Sequence, residues 1–155
     1  MLIMKSRTYC RLEFWSNGRC GAMKCWIMSA SAAVYDHDAA FSELGYINWR
    51  QTRNFAVGDV VYIYCTRPAS KVKYKTIVDS ISVDGVIEKY WIKKQNLPEK
   101  SKYMCLRLVS KSEDESLSLF ELQKHGMQYP PQSPCLVKPE LQQYLIECFG
   151  EDDYE

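Results

Sequence analysis

The sequence predicts an α+β domain built around a curved, mixed sheet. Three observations lead there. Short runs rich in valine, isoleucine and tyrosine recur between residues 24 and 108. Helical patterning is brief near residue 36 and becomes prominent only in the last third. No internal repeat divides the 155 residues, which are enough for one domain and not two.

Residues 1–22 show no clear apolar period, so the domain is expected to begin at Met23, with 1–22 a flexible extension. Met23 opens a compact strand, Lys24-Cys25-Trp26-Ile27-Met28-Ser29. Asp36 suits a helix N-cap before the stretch ending at Leu44, and Gly45 supplies the stop. Gly58-Asp59 makes a turn into a buried strand that runs to Thr66 and ends before Pro68. From Lys71 to Val83 the residues alternate: Val72, Tyr74, Thr76 and Val78 on one side, Lys71, Lys73, Lys75 and Ile77 on the other. Val86–Lys93 and Tyr103–Leu108 read as two more strands.

Ser118 and Glu121 form a capping box for a short helix that Gly126 stops. Tyr129-Pro130-Pro131-Gln132-Ser133-Pro134 has the composition of an ordered loop. Pro139 starts the last helix, whose Leu141, Tyr144, Leu145, Cys148 and Phe149 recur at i, i+3, i+4, i+7 and i+8. The domain therefore spans 23–150, and 151–155 is an acidic tail.

Composition narrows the function classes. No stretch of about 18 uncharged apolar residues occurs, and residues 1–22 lack a secretory pattern, so a cytoplasmic location without membrane contact is expected. Seven cysteines are widely spaced without a C-x-x-C pair, and there are only two histidines. Structural zinc needs about four clustered ligands. Cysteines 25, 65, 105 and 148 read instead as reduced core residues, and no metal or cofactor is expected. His125 ends a helix, where a cation favours the dipole, and His37 reads as a solvated first-turn residue. A couple of His37 with Cys65 has no local support, so no catalytic residue is assigned.

Net charge is +1 but unevenly spread. Between Arg67 and Arg107 ten basic residues face four acidic ones, which fits either a polyanion held on one face or a solvated lysine-rich surface.

The least ordinary segment is Ile47-Asn48-Trp49-Arg50-Gln51-Thr52-Arg53-Asn54-Phe55, read as a loop between Gly45 and Gly58. Indole gives a stacking face, arginine binds phosphate or a base edge, and amides can donate to and accept from a base edge. Nucleobase recognition is one reading. The other is that Trp49 anchors the loop to the core while the arginines pair with Asp36, Asp38 or Glu43. Trp26, Tyr35, Tyr62, Tyr64, Tyr74, Tyr90 and Trp91 lie on or beside the predicted strands, and several must be core.

The runs Trp26-Ile27-Met28-Ser29, Tyr35-Asp36, Ile47-Asn48-Trp49-Arg50-Gln51, Arg53-Asn54-Phe55 and Val57-Gly58-Asp59 resemble an EVE domain. So do Val60 to Tyr64, Tyr74 to Val78, and Leu117 through His125-Gly126 to Pro134. The resemblance covers about residues 23–149, and its most specific part is the W-R-Q-x-R-N-F-x-V-G-D stretch. It implies a PUA-like fold, a curved mixed sheet or partial barrel with flanking helices, related to YTH and ASCH domains. It also implies a pocket for one modified base in DNA or RNA, and a nuclease encoded separately as partner in a modification-dependent restriction system. Trp49 matches the family's cage tryptophan, and Ser29 and Ser31 fall where relatives place polar residues near the base edge. Ser31 stands where an asparagine or glutamate is expected, which leaves base identity open.

The expectation is therefore a non-enzymatic nucleic-acid-binding module. Trp49 walls its pocket with Trp26 and Tyr64, while Ser29, Ser31 and Asn54 contact the base edge. Arg50, Arg53, Lys73 and Lys75 neutralise flanking phosphates. The alternatives are a general RNA-binding PUA-like domain and a small nucleoside- or metabolite-binding protein or enzyme.

Overall fold

The computed structural model describes residues 23–150; the extension 1–22 and the tail 151–155 lie outside the described residues. The order is β1 (Cys25–Ala30), α1 (His37–Leu44), β2 (Tyr46–Arg50), β3 (Val60–Cys65), β4 (Lys71–Ile81), β5 (Tyr103–Lys111), α2 (Leu119–Gln123), β6 (Cys135–Leu136) and α3 (Pro139–Phe149). Single 3-10 turns cover Glu88–Tyr90 and Glu115–Leu117.

The strands form one mixed sheet in the order β2-β5-β4-β3-β1-β6. Only the β1–β3 pair is parallel, with Trp26 opposite Val61 and Ser29 opposite Tyr64. β3 is buried along its whole length because both faces of the sheet are covered. Alternation along β1 and β3 then divides the side chains. Trp26, Met28, Val61 and Ile63 enter one core beside α1, with Tyr35, Ile47, Tyr74 and Leu106. Ile27, Tyr62 and Tyr64 enter a second core with Leu117, Leu122, Leu141 and Leu145 from the carboxyl-terminal helices.

The helix boundaries follow the local chemistry. The Asp36 side chain accepts from Ala39 N, and Gly45, at φ 82°, closes α1 in the left-handed region that glycine enters without a Cβ clash. Ser118 accepts from Glu121 N at the start of α2, and Pro139 occupies the first turn of α3.

Three expectations are corrected. Trp49 and Arg50 are on β2 and not in a loop, since Tyr46–Arg50 pairs with Tyr103–Arg107. The segment 86–93 is not a strand; it is irregular around Glu88–Tyr90 and joins the rest through a bridge from Trp91 to Tyr35. The alternation of β4 also breaks. Tyr74 pairs with Ile63 but Val72 pairs with Tyr64, so Lys73 is an extra residue in the ladder. This bulge sends Val72 to the second core while Tyr74 and Val78 stay in the first.

One buried carboxylate ties the sheet together. Asp59 Oδ2 accepts from Trp26 Nε1 at 2.9 Å and Ala56 N at 3.0 Å, and its Oδ1 accepts from Lys24 N at 3.1 Å. Phe55 lies on the Trp26 ring with centroids 4.4 Å apart. Asp59→Ala leaves three N–H donors without their acceptor, and the expected loss is about 3–5 kcal/mol of unfolding free energy. Chemical denaturation measures it; a loss under about 1 kcal/mol, the scale of one ordinary hydrogen bond, shows that the carboxylate does not hold β1 to β3.

Candidate functional site

A cavity of about 310 Å³ opens where four segments meet. The end of β1 contributes Met28, Ser29, Ala30 and Ser31, and the end of β2 contributes Trp49, Arg50 and Thr52. Val86, Trp91, Gln95 and Leu97 come from the long β4–β5 connection, and Gln132, Ser133 and Pro134 from the loop before β6. The volume lies at the small end of ligand sites, which run from about 300 to 1,000 Å³.

Both irregular walls are tied down. Tyr35 is fully buried, and its hydroxyl donates to the Ile87 carbonyl at 2.9 Å. Asp36 N donates to the Tyr90 carbonyl at 2.8 Å, and Ile92 N and Lys93 N both donate to the Val34 carbonyl. These bonds carry Trp91 to within 5.2 Å of the Tyr35 ring, while Trp49 reaches it at 5.0 Å from β2. On the opposite wall Ser29 Oγ donates to the Pro131 carbonyl at 2.7 Å. Arg53 donates to Ser133 Oγ at 2.9 Å and to the Pro134 carbonyl at 3.2 Å.

Trp49 and Trp91 have centroids 6.3 Å apart and planes inclined at 37°. A base sandwiched between parallel rings needs about twice the ~3.4 Å stacking rise. The two indoles therefore make a corner in which a flat ligand stacks on one face and meets the other obliquely. Among the described residues Arg50 is the one ionisable side chain in the lining, and no histidine or carboxylate joins it. The rest is apolar or neutral polar, an environment for a neutral aromatic ligand with a few hydrogen-bonding groups.

His37 backs this corner. It is 3% exposed, not solvated as its sequence position implies, and its ring lies 5.1 Å from both Tyr35 and Trp49. Its Nε2 is buried without a hydrogen-bond partner. Burial lowers its pKa from 6.5 to about 4, against the upward pulls of the Tyr35 carbonyl, Asp36 and Asp38. The imidazole is neutral near pH 7 and supports Trp49 as a packing surface.

The expected site residues separate into two groups. Trp49, Arg50, Ser29 and Ser31 come together at the cavity. Trp26 does not: it is 6% exposed in the core, with its indole N–H spent on Asp59. Tyr64 points into the second core on the other side of the sheet, and Asn54 is an exposed residue outside the lining. Arg53 holds the cavity wall instead of standing free. Lys73 lies between Asp38 and Glu113, 3.6 Å from each, and Lys75 is buried near the Tyr62 ring. Neither lysine lines the cavity. Trp91, Thr52, Gln95 and the Gln132–Pro134 wall were not expected as site residues. By sequence Trp91 reads as one of the strand aromatics; the pairing of 90–93 with 34–36 brings it opposite Trp49.

Half of the ten basic residues between 67 and 107 are held in ion pairs, Lys73 among them. Lys71 meets Glu115, Lys89 meets Glu43, Lys94 meets Glu88 and Arg107 meets Asp79. Among the described residues Lys24, Arg50, Arg53, Arg67, Lys93, Lys100, Lys102 and Lys138 make no ion pair. Lys102 adjoins the end of β2, its carbonyl accepting from Gln51 N at 2.7 Å. Burial pushes the Cys65 thiol up to about 11, so it is protonated near neutrality. His125 stacks on Tyr144 with centroids 3.6 Å apart, away from the cavity. Among the described residues no group of three or more His, Cys, Asp and Glu side chains could hold a metal ion, and no helix is long and apolar enough to cross a membrane.

No protein-family model and no curated protein matches the chain. Solved structures do. The ASCH protein of Zymomonas mobilis is similar with a TM-score of 0.57 and 17% identity, covering 82% of this chain and 96% of that one. Rpa0253 of Rhodopseudomonas palustris is similar with a TM-score of 0.55 and 11% identity, covering 85% of this chain and 97% of that one. At these identities the likeness is one of fold. The six-stranded mixed sheet with three helices is α+β and PUA-like, the architecture of ASCH domains.

A group whose folded pKa is depressed opposes protonation of the folded state. The stability tied to neutral His37 is therefore fully present above about pH 6.5 and is lost as pH falls toward about 4. The loss by pH 4 should be on the order of 3 kcal/mol. His37→Phe should remove this component. Denaturation at pH 4 and pH 7 checks it; equal pH dependence in both proteins shows that His37 is not the group responsible.

Proposed function

We propose that the chain belongs to the EVE branch of the PUA-like fold and is a non-enzymatic, cytoplasmic nucleic-acid-binding module that holds a single modified nucleobase. The base stacks in the corner of Trp49 and Trp91, with Ser29, Ser31, Gln95 and Gln132 available to its edge. The observation that carries the reading is the small cavity lined by two tryptophans, one arginine and otherwise uncharged residues. Arg50 and Lys102 take the flanking phosphates. They replace Lys73 and Lys75 in that role because each of those two is already engaged within the fold. Cleavage is assigned to a separately encoded nuclease.

Stacking on one aromatic ring contributes about 1–3 kcal/mol. A buried methyl adds at most about 0.8 kcal/mol, or on the order of 4-fold. Larger discrimination has to come from easier extrusion of the altered base or from a clash against the unaltered one. Thus affinity for the module and selectivity for the modification arise from different contacts.

The test is a titration at fixed salt with oligonucleotides carrying 5-methylcytosine, 5-hydroxymethylcytosine or N6-methyladenine against unmodified twins, single- and double-stranded. At least one modified oligonucleotide is expected to bind more tightly than its twin. Trp49→Ala should lower that affinity by about 5- to 150-fold, with circular dichroism confirming the fold. Arg50→Ala should reduce the slope of log K against log[salt] by somewhat under about 1. Arg53→Ala should weaken binding with the slope unchanged, since its guanidinium holds the wall. Ratios of one for every modified base reject the reader. Binding that ignores Trp49→Ala rejects the pocket.

A further inference from the structure

A second cavity, of about 580 Å³, adjoins the first along the segment that carries Trp91. The two cavities share Val86, Trp91, Gln95 and Leu97. Alternation on β2 turns Trp49 toward the first core and Asn48 the opposite way. Asn48 and Tyr103 line the second cavity, while Trp49 and Arg50 of the same edge strand as Asn48 line the first.

We propose that this second cavity seats the base of the nucleotide next to the one held at Trp49. The proposal rests on the reading given under Proposed function. Three observations carry it. The first is contiguity: Val86, Trp91, Gln95 and Leu97 belong to both linings. The second is the lining, where the amides of Asn48, Gln95 and Asn96 offer paired donors and acceptors and Tyr103 offers an aromatic ring. The third is charge. Asp84, Glu88 and Lys94 are the charged lining residues, and Lys94 is 3.2 Å from Glu88, which leaves Asp84 without an ion-pair partner among the described residues. A wall with one spare carboxylate repels phosphate and accepts from the amino group of a base. The neighbouring base therefore enters while its phosphate stays outside, near Arg50 and Lys102.

Equilibrium titration of the full chain separates this proposal from the reading beneath it. For 5-methylcytosine, 5-hydroxymethylcytosine and N6-methyladenine the probes are the nucleoside, the dinucleotide with cytosine on the 5′ or 3′ side, and the same dinucleotides with the cytosine base removed. In one orientation the intact dinucleotide is expected to bind at least about fivefold more tightly than its abasic twin. Asn48→Ala and Asn96→Ala should each bring that ratio toward one, while nucleoside affinity stays within about twofold. Intact and abasic dinucleotides of equal affinity in both orientations, with the nucleoside still bound, overturn the second seat and leave the first pocket standing. A ratio that neither variant changes also overturns it, because the neighbouring base then binds elsewhere. If no nucleoside or dinucleotide binds, the pocket reading fails and this proposal fails with it.

Discussion

The carboxylate of Asp59 is the constraint on which the rest of the site depends. It is 2% exposed and accepts from the first residue before β1, from the Trp26 indole and from the turn before β3. An ionised group in such a place is costly unless its oxygens are occupied. Here three N–H groups occupy them, two from the start of β1 and one from the turn before β3. The result fixes the parallel β1–β3 pair within the sheet. That pair sets where β1 ends, and so where Ser29, Ala30 and Ser31 meet the cavity.

The W-R-Q-x-R-N-F-x-V-G-D stretch can be divided on this basis. Phe55 and Asp59 clasp Trp26 from two sides, one through its ring face and one through its indole nitrogen. Arg53 reaches across to Ser133 and Pro134 and holds the opposite wall. Only Trp49, Arg50 and Thr52 of this stretch line the cavity. Much of the motif therefore positions the site, and a smaller part faces a ligand.

Local signals in the sequence were reliable where a single residue decides local geometry. The Asp36 cap, the left-handed Gly45, the Ser118 box and Pro139 all act over a few residues, and each stands at its element boundary. The errors came from long-range pairing. Alternation could not show the extra residue at Lys73, because a bulge is defined by the partner strand and not by the sequence that contains it. The segment 86–93 has strand composition but pairs only through Trp91, so propensity gave way to its stitching onto residues 34–36. His37 is flanked by two aspartates and so resembles a surface residue, yet α1 turns it inward against Tyr35 and Trp49. Of the expected pocket walls, Trp49 reaches the cavity, whereas Trp26 and Tyr64 are consumed by the two cores. Aromatic residue type alone does not distinguish a core ring from a wall.

The way the walls are held bears on how such a site would gain affinity. Trp91 comes from an irregular segment, but hydrogen bonds to the Val34 carbonyl and from Asp36 N and the Tyr35 hydroxyl fix its approach. The loop before β6 is fixed by Ser29 and Arg53. Walls that are already ordered do not lose that entropy again on binding. The gain is bounded, however, because an oblique corner offers one full stacking face where a parallel slot would offer two. Arg50 adds one positive charge at the lining, and screening at physiological salt limits what a partly exposed cation contributes. A flat ligand in a site of this construction would draw on walls that are already ordered and on one full stacking face, and the second tryptophan would fix its tilt more than its affinity.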